Sequence, residues 1–80
     1  MANSILRIPV VLRMRGRSRS AHYLDIQLGL FPHPVKIGPR ASGHPENEVT
    51  AVNAARIAGK STDEIRALVA YLESARGNLE

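Results

Sequence analysis

The chain has 80 residues, no cysteine and a formal net charge of +4 at pH 7. That length permits one domain with a small core and argues against an enzyme that buries a deep cleft, while the cysteine count excludes disulfides and thiolate zinc sites as braces. The charge is lopsided: residues 1–45 carry seven Arg and Lys against Asp25 alone, and residues 46–80 carry four against six Asp and Glu. A basic first half suits a polyanion, since each phosphate neutralised releases counterions; the bland alternative is a solvated basic surface.

Along the chain, Val10-Val11-Leu12 is flanked by Arg7 and Arg13, too short and too charged for a membrane span or a signal-peptide core, so the expected location is cytoplasmic. The spacing predicts a short helix from Ile8 to Met14, with Pro9 in its first turn and Gly16 beyond its end. Arg15-Gly16-Arg17 is a tight turn, and Ser18 caps a second helix that Gly29 ends after about Leu28. On a helical wheel Ala21, Leu24 and Leu28 fall on one side, taken as the core face; Arg19, His22, Tyr23 and Ile26 fall on the other, taken as the presented face.

Two prolines in Leu30-Phe31-Pro32-His33-Pro34 forbid a continuing helix, and Phe31 is the apolar plug. Val35-Lys36-Ile37 alternates as a strand, Gly38-Pro39 turns, and residues 40–44 return, making a hairpin with Lys36 on its outer side. Pro45 opens a third helix, with Glu46 and Glu48 in its first turn where the helix dipole favours negative charge. Val49 and Val52 supply its buried side and Gly59 ends it. Ser61-Thr62-Asp63-Glu64 is a capping box that starts a fourth helix running to about Arg76. Its Ile65, Leu68, Val69 and Leu72 form a stripe that serves either the core or a partner subunit.

A short helix, a tight turn and a second helix with cationic and hydrogen-bonding side chains meet the requirements of a helix-turn-helix, and the hairpin behind it those of a wing. The expected fold is mainly α with a small β-hairpin wing: a winged helix-turn-helix over residues 1–60, and a C-terminal helix over residues 61–80 for packing or oligomerisation.

The candidate DNA-binding residues follow from this. Arg19 is the leading base or phosphate contact, Ser18 and Ser20 offer phosphate hydrogen bonds near the helix N-terminus, and His22 and Tyr23 offer groove or backbone contacts. Tyr23 is equally well placed for partial burial with its hydroxyl at the rim. Ile26 touches a thymine methyl, touches another protein, or marks an error in the helix phase. Arg15 and Arg17 flank the turn, for phosphates or for solvent. Lys36 lies on the wing, and Arg40 at its tip suits a narrow A·T-rich minor groove, in competition with an ion pair to Glu46 or Glu48.

Enzyme signals are missing. Gly59-Lys60-Ser61 resembles the end of a phosphate-binding loop, but Ala54 stands where that loop needs glycine. His22, His33 and His44 lack the spacing of a zinc protease, and no paired carboxylate, nucleophile elbow or triad is visible. No catalysis, cofactor or metal is expected.

The run Arg7-Ile8-Pro9, then Ser18-Arg19-Ser20, Tyr23, and Gly29-Leu30-Phe31-Pro32-His33-Pro34-Val35-Lys36-Ile37-Gly38-Pro39-Arg40-Ala41-Ser42-Gly43 resembles the AlpA-like prophage regulators and excisionases over about residues 6–53. That family has a winged helix-turn-helix related to the MerR DNA-binding domain. The resemblance implies that the helix from Ser18 is the recognition helix and that residues 36–43 are the wing. It also implies a recombination directionality factor, which bends attachment-site DNA and helps an integrase excise a mobile element, or a transcriptional activator of such genes at a promoter. The chain departs from the family pattern at Val10, often acidic; Arg15, often threonine; Arg17, often apolar; and His44, often tryptophan. The partners so implied are double-stranded DNA, an integrase and further copies of the chain assembling on DNA, with no membrane. A protein-interaction module using the fourth-helix stripe, with incidental basic charge, is the alternative from another class.

Overall fold

The computed structural model describes residues 4–78. Strand β1 (Ile5–Arg7) leads directly into α1 (Ile8–Arg15), a turn, and α2 (Arg19–Gln27); β2 (Val35–Gly38) and β3 (Ala41–Pro45) follow, then α3 (Glu46–Ile57), α4 (Thr62–Ser74) and a 3₁₀ turn over Ala75–Asn78. The architecture is mainly helical with a small antiparallel sheet, as expected of a winged helix-turn-helix.

The turn between α1 and α2 depends on Gly16. Its φ of 67° lies in the left-handed region, which a side chain disfavours, and its amide donates to the Leu12 carbonyl at 2.9 Å. Two residues later Ser18 caps α2, its Oγ accepting from the Ala21 amide at 3.2 Å.

The hairpin supplies the central strand β3 and the edge strand β2 of a three-stranded sheet of order β1-β3-β2. Strand β1 is too short to carry an alternation signal of its own; it pairs with β3 far along the chain, Leu6 opposite His44 and Arg7 opposite Gly43. A Cβ on Gly43 would lie 2.6 Å from the Leu6 carbonyl oxygen, so only glycine lets the two strands meet. The Glu46 amide, at the start of α3 where no side chain caps the helix, donates to the Ser4 carbonyl at 2.8 Å. The wing and the start of α3 are thereby tied to the segment that leads into α1.

One core gathers Val11 of α1, Ile26 of α2, Phe31 of the linker, Val49 and Val52 of α3, and Ile65, Val69 and Leu72 of α4. The capping box at Ser61 and Glu64 forms with both of its hydrogen bonds. The stripe on α4 is therefore corrected as an oligomerisation surface: Ile65, Val69 and Leu72 are buried inside their own chain, and Leu68 packs half-buried against the same core. Arg76 fastens the end of this helix pair through a double contact with the buried Glu48 carboxylate, at 2.7 and 2.8 Å, and a further bond to the His33 carbonyl. Among the described residues, no helix is long and apolar enough to cross a membrane.

Candidate nucleic-acid interface

The faces of α2 are only partly the expected ones: Arg19 and Tyr23 are exposed as expected, but four positions are exchanged. His22, Asp25 and Ile26 are buried, whereas Leu24 is 51% and Leu28 46% exposed. An apolar count on a wheel turns His22 outward because isolated polar groups are costly to bury; here neither His22 nor Asp25 is isolated. The Asp25 carboxylate accepts from Arg15 Nη2 at 2.8 Å, Arg17 Nε at 3.1 Å and Arg17 Nη2 at 3.0 Å. Burial would raise its pKa, but the hydrogen bonds from Arg15 and Arg17 outweigh that and hold it below the usual aspartate range.

Arg15 connects this carboxylate to a pair of histidines. Its Nη1 lies 2.8 Å from His22 Nδ1, and His22 Nε2 lies 3.0 Å from His44 Nε2. A guanidinium only donates, so His22 Nδ1 is the acceptor and its ring proton sits on Nε2. That proton is donated to His44, whose own proton is left on Nδ1, a buried atom with no partner among the described residues. The relay requires both rings neutral. Burial, reinforced by Arg15, lowers the His22 pKa to about 4; burial, then His22 and Arg76, lowers that of His44 to about 3. The Phe31 ring completes the cluster, with the Arg15 guanidinium carbon 4.1 Å from its centroid and the two imidazole centroids at 5.0 and 4.8 Å.

These contacts correct two of the candidate contact residues. His22 is fully buried and the Arg15 side chain is 1% exposed, so both brace the fold and neither reaches a groove. Arg17 is only partly committed to Asp25, with 39% of its side chain exposed. Ile26 is a core residue, which settles its three readings as an error of helix phase. The hint in the sequence was Asp25 itself, the one acidic residue among seven basic ones, eight and ten positions from Arg17 and Arg15.

The remaining candidates are brought together on the outside. Arg19, Ser20 and Tyr23 are exposed on α2, joined by Leu24 and Gln27, and Ser18 is an exposed cap at its start. Lys36 and Arg40 are exposed on the wing, Lys36 opposite Ser42 in the ladder. Arg40 makes no salt bridge among the described residues, and Glu48 is taken by Arg76. His44 of β3 touches His22 of α2, so the presented helix and the basic wing are held at a fixed spacing by their buried sides.

A protein of Enterobacteria phage P4, described as uncharacterized protein ORF88, is 44% identical over 55 residues, 69% of this chain; the chain spans 62% of that relative's length. No solved structure matches. The family model described as prophage CP4-57 regulatory protein (AlpA) matches residues 4–56, from the lead into β1 to the last turn of α3, and the chain accordingly belongs to the AlpA family of prophage regulatory proteins.

Proposed function

We propose that this chain is a sequence-specific double-stranded DNA-binding protein that inserts α2 into the major groove and sets its wing against the adjacent minor groove. The observation that carries this reading is the division of α2: its inner face is locked by Asp25 and His22, while Arg19, Ser20 and Tyr23 stand free beside Lys36 and Arg40. Arginine and hydroxyl side chains at the start of a capped helix suit base edges and phosphates. An exposed guanidinium on a hairpin tip suits a narrow minor groove.

The biological reading is a recombination directionality factor, which helps an integrase excise a mobile element by binding and bending attachment-site DNA. The matching family's description as a regulatory protein favours transcriptional control of the element's genes as a second output. A gel shift on attachment-site and promoter duplexes tests the binding: affinity should fall steeply with salt, and absence of any duplex binding at low salt overturns the reading. Adding the protein to an integrase reaction tests the rest. Excision should rise over integration, and an unchanged balance leaves transcriptional control as the function.

A further inference from the structure

Asp25 is surrounded by more positive charge than it can neutralise. Besides Arg15 and Arg17, Arg56 of α3 brings its Nη2 to 3.9 Å from Asp25 Oδ2, so one carboxylate faces three guanidinium groups. Arg15 is buried, with its Nη1 engaged by His22 and its Nη2 by Asp25, while its Nε is buried without a partner among the described residues. The surplus is carried by Arg17 and Arg56, each with 39% of its side chain exposed. The Arg56 guanidinium donates no hydrogen bond among the described residues, and Arg17 keeps its Nη1 unspent after bonding Asp25 through Nε and Nη2. Asp25 is already satisfied by Arg15 and Arg17, so folding does not call on Arg56.

The position of the pair follows from the chain. Arg17 immediately precedes the Ser18 cap of α2, and Arg56 is in the last turn of α3. Asn53, one turn earlier, donates to the Met14 carbonyl at 3.1 Å and fixes α3 against the end of α1. Two half-exposed forks from separate elements thus converge beside the end of α1, the first helix of the pair, which in a helix-turn-helix crosses the DNA backbone. We propose that Arg17 and Arg56, held beside one another by Asp25, form a seat for a DNA backbone phosphate. This rests on the DNA-binding reading above and adds to it a contact from the otherwise acidic second half. Guanidinium forks bind phosphate in two-point fashion, and an anion in this seat would neutralise charge that Asp25 leaves over. Such a contact positions the protein and carries no sequence information.

The test compares wild type, R56A, R56K and K60A by fluorescence anisotropy on two duplexes: a site selected from a randomised library, and its scrambled counterpart. For R56A the slope of log affinity against log salt should shrink by about 0.9, the value for one lost phosphate contact, with equal weakening on both duplexes and an unchanged urea midpoint. R56K should restore the slope. K60A, which removes one charge from an exposed site after α3, should leave the slope closer to wild type. A wild type that binds while R56A binds identically, or an equal drop from K60A, overturns the seat alone; a wild type that binds neither duplex overturns the DNA reading together with it.

Discussion

His22 of the presented helix and His44 of the wing meet Nε2 to Nε2 at 3.0 Å in the interior. Since Arg15 can only donate to His22, the contact works with both rings neutral, and the alignment of helix and wing is linked to protonation. Both histidines have folded pKa values lowered from 6.5, to about 4 and about 3, so between pH 6.5 and pH 4 the unfolded chain binds more protons than the folded one. Stability is then complete above about pH 6.5 and falls as pH drops toward 4, by roughly 3 kcal/mol for His22 alone. Urea unfolding at a series of pH values should show the midpoint falling through this window, above the range where Asp25 titrates. A flat midpoint down to pH 4 contradicts the relay.

Substitution separates the two rings. H44F removes the acceptor from a buried His22 Nε2–H and should cost about 1–3 kcal/mol, the penalty for stranding a buried donor. H22F likewise strands Arg15 Nη1. In the double variant the imidazole contact is gone from both sides, so the combined loss should be smaller than the sum of the two. Additive losses in urea unfolding would mean that the rings are neighbours without being coupled.

The Glu48–Arg76 contact fastens the last turn of the structure to α3 and, through the His33 carbonyl, to the linker before the wing. Glu48 is 1% exposed. R76A leaves its charge buried without a partner, for which about 3–5 kcal/mol is the usual loss. Thermal unfolding of R76A should show a drop of that order, and a near-neutral result would detach Arg76 from the fold.

Leu72 is a core residue of α4. L72A should destabilise the chain by about 2–5 kcal/mol through the cavity it leaves, while the mass measured by light scattering stays that of wild type. A change of oligomeric state at unaltered stability would return the stripe to an interface.

Local signals were readable in this sequence and long-range ones were not. The Ser18 cap, the Gly16 turn and the Ser61–Glu64 capping box each depend on residues within a few positions of one another, and all appear in the structure; the hairpin also forms, with its turn at Pro39-Arg40, one residue beyond the expected Gly38-Pro39. Strand β1 depends on Gly43 and His44, far along the chain. The shifted inner face of α2 has the same origin: His22 and Asp25 are buried because Arg15, Arg17 and His44 satisfy them, and no wheel of α2 contains those partners. Exposed Arg19 and Arg40 were identifiable from residue type and position. The part of Arg56 was not, because its neighbour Asp25 lies on another helix.

The wing makes a narrower prediction. R40A should weaken binding most on duplexes with A·T-rich flanks, where a narrow minor groove attracts a guanidinium, and least on G·C-rich ones. Equal losses on both would place Arg40 on the backbone.

The most direct test of the central claim, that the outer face of α2 reads DNA while its inner face only supports it, is the ratio of affinities for a selected and a scrambled duplex at fixed salt, measured for wild type and R19A. Loss of one side-chain contact to a base costs about 1–3 kcal/mol of discrimination, so the ratio should fall by about tenfold or more with the urea midpoint unchanged. A ratio equal to that of wild type would contradict the claim.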